Sequence, residues 1–286
     1  MEKLVVFMFC IAAFACTGTQ KEKAGIMYKV ASYNIRMDTS IDSLNAWAYR
    51  KDAVKALVQY HDFDLFGTQE GFHHQLKGIC ELPAYTYTGS GRDDGKDAGE
   101  HSAIFYKKDL FTVLESGDFW LRENPSEPGK GWDATCCNRI CSWAKFKDNC
   151  NGAEFYFFNV HFDHQGVVAR EESGKLMIQK IKEIAKDMPV ICTGDFNSTP
   201  ETGQIKGLSA FLHDAYTTSE TPPYGPTDTF NSRFTYPLKE GRIDYIFASN
   251  HFKVKKFGIL TDTRENTVYF PSDHLPIVAD VVLNLR

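Results

Sequence analysis

Acids, amides and imidazoles in this 286-residue chain gather where apolar runs end. The segments are Tyr33-Asn34-Ile35-Arg36, Gln69-Glu70, Asn159-Val160-His161-Phe162-Asp163-His164, Gly194-Asp195-Phe196-Asn197, Asp244-Tyr245 and Ser272-Asp273-His274. Asn34, Glu70 and Asp273 offer hard oxygen donors, suited to Mg2+ or Mn2+ that keeps several waters and meets a phosphate oxygen. Asp195 and Asn197 stand two apart and can face one phosphate. One takes a proton from attacking water while the other donates an amide hydrogen to a developing oxyanion. His274 needs an orienting acceptor, and Asp244 is the natural partner because Asp273 is already assigned to the metal. His161 adds a second donor to the phosphate or leaving group. Metal-assisted hydrolysis of a phosphoester is the reaction this set can run.

Residues this far apart in sequence meet only if strand ends share one edge of a layered fold. Strand-like runs cover 28–35, 64–69, 102–106, 111–121, 140–146, 155–162, 189–193, 242–248, 252–260 and 276–285. Helical periodicity is clearest over 168–188, where Met177, Ile181, Ile184 and Met188 share a face. A second helix is expected over 46–60 with Ala53, Val54, Leu57 and Val58 as its stripe, and shorter ones over 72–80 and 202–211. Amphipathic helices and hairpins mixed with crossovers predict an α+β fold: two stacked mixed β-sheets with helices on the outer faces. Segments 122–138 and 213–241, rich in Gly and Pro, are expected as long functional loops.

Taken in order, the six segments resemble the endonuclease/exonuclease/phosphatase superfamily over residues 28–286. Each is weak alone; six in sequence are specific. The resemblance implies a four-layer αββα sandwich and Mg2+-dependent phosphoesterase chemistry. It further implies Glu70 as principal metal ligand, Asn34 and Asp273 in or near the metal shell, and His274 paired with Asp244. Asp195 and Asn197 would handle water and phosphate, with His161 on the phosphate, and Asp195 and His274 both remain candidates for the base. Ser102-Ala103-Ile104-Phe105-Tyr106-Lys107, Asn197-Ser198 with Pro200, and Phe270-Pro271-Ser272-Asp273-His274 are similar to the deadenylase-type exonuclease branch. The Trp-Cys-Asp-Arg run of inositol polyphosphate phosphatases is absent from the sequence.

Arg36, Tyr106, Arg139, Asp163, His164 and Phe230 are candidate substrate contacts. Arg139 is weighed against a structural ion pair, Tyr106 against an ordinary half-buried strand tyrosine, and Asp163 and His164 against a solvated turn before the 168 helix. Trp132, Tyr224 and Phe230 could stack on a base or sugar, or simply cover the core. Lys107-Lys108 and Lys253, Lys255 and Lys256 read as solvated faces unless they share a surface with the site.

Composition narrows the partners. With 32 Lys+Arg against 37 Asp+Glu, the formal charge of −5 excludes a general nucleic-acid coat and keeps small phosphoesters in contention. Residues 1–15 read as a signal peptide whose apolar core is too short to span a bilayer. Cys16 would then carry lipid, with 16–27 as a tether and 28–286 as the single domain of an exported, membrane-anchored monomer. Cys80, Cys136, Cys137, Cys141, Cys150 and Cys192 lack the spacing of a zinc knuckle and are expected as structural thiols or disulfides, although adjacent Cys136 and Cys137 are poorly placed to both find partners locally. The first functional expectation is a metal-dependent phosphodiesterase or nuclease acting on nucleic acids or nucleotides. The second is a phosphatase or lipid-headgroup phosphodiesterase acting on small phosphoesters. A non-catalytic binding module ranks last, since it has no use for clustered carboxylates.

Overall fold

The computed structural model describes residues 25–239 and 241–284, so the signal peptide, Cys16 and most of the tether lie outside the described residues. Its strands are β1 (Ile26–Asn34), β2 (Leu65–Gln69), β3 (Tyr85–Thr88), β4 (Ile104–Lys107), β5 (Phe111–Trp120), β6 (Ile140–Asp148), β7 (Glu154–His161), β8 (Val190–Asp195), β9 (His213–Asp214), β10 (Asp244–Ala248), β11 (Phe252–Ile259) and β12 (Ile277–Leu283). The helices are α1 (Trp47–His61), α2 (His73–Ile79), α3 (Val167–Ala185), α4 (Gly203–Phe211) and the single turn α5 (Ala215–Thr218).

Successive side chains of a strand point to opposite faces, and β1 shows what that achieves. Ala31 and Tyr33 pack with Trp47, Val54, Leu57 and Val58 of α1. Tyr28 and Val30, on the other face, pack with Phe155, Phe157 and Ile191 of the opposing sheet. A third cluster joins Phe158, Val160 and Cys192 to Met177 and Ile181 of α3 and to Ile205 and Leu208 of α4. Helices, sheet, sheet and helices are therefore stacked in four layers, as the sequence predicts.

The sheets run β11-β12-β1-β2-β4-β3 and β5-β6-β7-β8-β10-β9. In each, one parallel pair sits among antiparallel ones: β1 with β2, and β7 with β8. A parallel pair needs a crossover, and α1 and α3 supply the two. All ten expected strands and all four expected helices are present within a few residues of their predicted bounds. β3 was not anticipated, because Tyr-Thr-Tyr-Thr between Pro83 and Gly89 offers no apolar run. Among the described residues, no helix is long and apolar enough to cross a membrane.

Candidate active site

Between the sheets, the inward faces change character along their length. β1 presents Tyr28, Val30, Ser32 and Asn34 in turn, β7 presents Phe155, Phe157, Asn159 and His161, and β8 presents Ile191, Thr193 and Asp195. β10 runs the opposite way, from Asp244 to Ile246 and Ala248. Register aligns the polar ends: His161 and Asp244 both pair with Asp195, and Asn34 pairs with Gln69, the neighbour of Glu70. One end of the sandwich is a dry apolar core and the other is a site.

Asn159 joins the two halves of that boundary. Its amide nitrogen donates to the carbonyls of Thr68 at 2.8 Å and Ala103 at 2.9 Å, both on the first sheet. Its carbonyl accepts from Gln69 Nε2 at 2.7 Å and Thr193 Oγ1 at 3.0 Å. The room for this node comes from Gly67, where a Cβ would lie 2.2 Å from Asn159 Oδ1. Asn159 therefore couples the sheets instead of touching substrate.

Beyond it lie the acids and imidazoles. Asn34 Nδ2 donates to Glu70 Oε1 and to Asp195 Oδ2, each at 3.0 Å. His274 Nδ1 is 2.9 Å from Asp244 Oδ2, and its Nε2 is 3.6 Å from Asp195 Oδ2. His161 Nε2 approaches the same Asp195 oxygen at 3.4 Å. The backbone N–H of Asn197 donates to Asp195 Oδ1 at 2.9 Å, and the Asn197 amide donates to the Phe162 carbonyl at 3.0 Å. Arg36, Glu70 and Asn197 all have positive φ (55°, 64° and 45°), a conformation that costs free energy in non-glycine residues and clusters at functional sites.

Burial and charge divide the labour. Burial works against charge on His274, but Asp244, Asp195 and Asp273 outweigh it and hold the imidazole protonated well above its usual range. His161 goes the other way: burial, with Arg139 and Arg92 nearby, keeps it neutral. Burial and the Asp244 charge push Asp195 up to about 7, despite His274. Arg36 and His274 overcome the burial of Glu70 and keep it ionised. Asp273 is pushed up by burial and by the Glu70 charge.

Glu70, His161, Asp195, Asn197, Asp273 and His274 line a cavity of about 480 Å³ together with Arg36, Arg92, Glu100, Arg139, His164, Phe230 and the Cys136–Cys137 pair, with Asp244 buried behind His274. Arg36 grips Asp42 at 3.0 and 3.1 Å and lies 3.6 Å from Glu70 and 3.7 Å from Asp273. Arg139 bonds His164 Nδ1 at 2.7 Å and faces Asp163 at 3.6 Å, so the pocket lining and the ion pair are one arrangement. Asp163 itself is buried and accepts from the N–H groups of Gln165 and Gly166, building the turn into α3 where a solvated turn was one of two expectations. The Phe230 ring lies 4.9 Å from that of His274.

Three expected stackers or contacts are elsewhere. Tyr106 points away from the site and packs on Phe146, because the end of β4 nearest the site is its Ser102 end. Trp132 packs against the outer core of the second sheet, and the exposed Tyr224 lies along Gly258. Cys136 and Cys137, judged poorly placed for local partners, are disulfide-bonded to each other at the cavity rim, while Cys141 and Cys192 are buried free thiols. A larger groove of about 1020 Å³ beside α1 and the 262–271 segment holds no comparable set of acids and imidazoles.

Residues 31–274 match the endonuclease/exonuclease/phosphatase family. The chain belongs to that family. A family structure from Bacteroides thetaiotaomicron is 46% identical, with a TM-score of 0.87 over 92% of this chain and all of that one. The mannosyl-6-phosphatase of Bacteroides thetaiotaomicron VPI-5482 is 47% identical, with a TM-score of 0.85 over 90% of this chain and all of that one. The 3′–5′ exoribonuclease subunit of the Saccharomyces cerevisiae CCR4-Not complex is 23% identical over 82% of this chain and 35% of its own length.

Family members are phosphoester hydrolases, and the donor set here fits a divalent cation. Glu70 and Asp195 bring carboxylate oxygens within 4.8 Å of each other, with Asn34 hydrogen-bonded to both carboxylates and protonated His274 beside them as a cation and not a ligand. Burial, with the Glu70 charge beside Asp273 and the Asp244 charge beside Asp195, raises both carboxyls, and a nearby cation would offset that cost. Glu70 and Asp273, which line the cavity, could hold such a cation, while Asn34 is fully buried behind them with its Oδ1 accepting from the backbone N–H of Arg36 at 3.0 Å.

Sequence reasoning missed three residues. Arg92 and Glu100 sit in the glycine-rich 89–101 segment and face each other at 2.5 Å in the pocket wall. The signal was a charged pair inside a run of four glycines, a segment that has to be folded tightly to be ordered at all. Arg50, on α1, is fully buried and donates to the carbonyls of Ile35, Arg36, Asn45 and Pro271. It ties the Arg36 turn to the loop leading into Asp273, and in sequence it is one more helix cation.

Proposed function

We propose that the protein is a divalent-metal-dependent phosphatase that hydrolyses a small phosphomonoester, with sugar phosphates as the substrate class. The observation that carries this is the pocket: about 480 Å³, the scale of a small-molecule site, with Arg36, Arg92 and Arg139 around Asp195 and His274. A monoester carries up to two negative charges, more than each linkage of a polynucleotide, and three guanidinium groups suit it. The lysines weighed as a substrate track do not line the pocket. Lys253, Lys255 and Lys256 lie opposite Val282 to Asp280, at the strand ends away from Asp273, and Lys107 is held by Asp62 and Asp64. The likeness to a mannosyl-6-phosphatase supports the same substrate class. We therefore favour the phosphatase expectation over the nuclease one; of the deadenylase-like motifs, those around Asp195 and Asp273 fall on residues that either chemistry would use, and the 102–107 run does not line the pocket.

A bound divalent cation would neutralise phosphate charge and lower the pKa of the attacking water. Asp195, near neutrality and within reach of both imidazoles, accepts the proton of that water. The imidazolium of His274, fixed by Asp244, donates toward the phosphoryl oxygen and stabilises the charge that builds there. Neutral His161 and the free hydrogen of the Asn197 amide add donors. Arg139 and Arg92 hold the substrate against the wall. An exported location rests on the N-terminal segment alone.

The test is a hydrolysis panel with Mg2+ or chelator: mannose 6-phosphate, glucose 6-phosphate, p-nitrophenyl phosphate, bis-p-nitrophenyl phosphate, and single-stranded RNA and DNA. Metal-dependent release of inorganic phosphate from the sugar phosphates is expected. Preferential cleavage of RNA or DNA would overturn the reading in favour of the nuclease.

A further inference from the structure

Behind the pocket wall, two imidazoles and a carboxylate come together that the proposed chemistry does not use. His73 opens α2, Asp97 lies in the glycine-rich segment, and His101 closes that segment. His73 Nδ1 is 3.0 Å from Asp97 Oδ1, and the rings of His73 and His101 are 6.2 Å apart. One donor atom from each of the three lies within 4.8 Å of the other two. The Tyr87 hydroxyl stands 3.3 Å from His73 Nδ1.

His101 is the informative member. It is 2% exposed, yet its Nδ1 has no hydrogen-bond partner. Leaving a buried polar nitrogen unsatisfied costs about 1–3 kcal/mol, and such atoms in folded proteins have a reason. Burial pushes the His101 pKa down, so the ring is neutral and one of its nitrogens carries a lone pair. A neutral imidazole with a free lone pair is a metal ligand in waiting.

We propose that His73, Asp97 and His101 bind a zinc-class transition-metal ion, separate from the catalytic cation, that clamps the 89–101 segment onto the start of α2. Two nitrogens and one carboxylate oxygen suit Zn2+ or Co2+ far better than Mg2+, and Tyr87 or water completes the shell. The position gives the clamp a purpose. His101 pairs across isolated bridges with both Gly71 and Gly91, so it is one residue from Glu100 and spans to the neighbours of Glu70 and Arg92. Fixing it fixes the wall that carries Arg92 and Glu100.

The experiment uses the whole metal-stripped protein and Co2+ in a large excess of Mg2+, which fills the oxygen-rich catalytic site. One equivalent of Co2+ should bind with the visible absorption of imidazole ligation, and binding should slow hydrogen exchange across 89–101. His73→Asn and Asp97→Asn, at half-buried and exposed positions where folding is safe, should abolish the absorption, and Glu70→Gln should keep it. Absence of the absorption, its persistence in both variants, or its loss in Glu70→Gln would each overturn the proposal. Unchanged exchange at 89–101 on stoichiometric binding would overturn the clamp.

Discussion

His274 Nδ1 lies 2.9 Å from Asp244 Oδ2, and Asp244 is fully buried with its other carboxylate oxygen unpartnered. Such a carboxylate is anchored by the imidazolium alone, so the two residues act as one charged unit. Asp244→Asn keeps the shape and removes the charge. His274 then loses the partner that keeps it protonated, and kcat should fall by about 10²-fold with KM little changed. The pH–rate profiles of variant and wild type check this; an unchanged kcat would mean that His274 does not work as a cation.

Asn159 makes three hydrogen bonds across the inter-sheet boundary and a fourth to Thr193 on its own sheet, and it does not line the pocket. Asn159→Ala should therefore cost stability before chemistry, by about 3 kcal/mol or more, lowering Tm by about 10 °C. Thermal unfolding followed by circular dichroism measures it. A variant as stable as wild type but inactive would place Asn159 in the catalytic machinery instead.

Glu100 makes stability depend on pH. Burial outweighs Arg92 and pushes its carboxyl up to about 7. Between about 4.5 and 7 the folded protein keeps a proton that the unfolded chain has lost, so this group's contribution to stability is complete below that window and lost as pH rises through it. Glu100→Gln cannot lose a proton. In chelator, its advantage over wild type should grow from pH 4.5 to 7.5, to at most on the order of 3 kcal/mol. Parallel stability curves for the two proteins would show that Arg92 keeps Glu100 ionised throughout.

Arg139 holds His164 and faces the pocket with a planar fork of donors. Arg139→Lys keeps the charge and loses the bidentate geometry, so KM for a small monoester should rise by about tenfold with kcat largely kept. Initial-rate kinetics on p-nitrophenyl phosphate separate the two constants. A collapse of kcat at constant KM would move Arg139 into transition-state stabilisation.

How much of this was legible in the sequence follows from which signals are local. The turn from apolar to polar along β1, β7, β8 and β10 is written in consecutive residues, so Asn34, His161, Asp195, Asn197 and Asp244 could be placed at one edge before any coordinates. The pairing of His274 with Asp244 followed from needing one acid for the metal and another for the imidazole. Arg92 and Glu100 could not be found that way. Their segment carries no strand or helix pattern, and only the closure of its glycines brings them under Trp120, whose Nε1 donates to the Arg92 carbonyl at 2.7 Å. Tyr106 failed for a related reason: alternation gave its face, but not which end of β4 meets the site.

The central claim is that Asp195 and His274 drive metal-dependent hydrolysis of a small phosphomonoester, and phosphate release from mannose 6-phosphate tests it most directly. Wild type with Mg2+ should turn over, and chelator should abolish the activity. Asp195→Asn and His274→Asn, folded by thermal unfolding, should each lose about 10²- to 10⁴-fold in kcat/KM. Equal, chelator-resistant phosphate release by all three proteins would contradict the account.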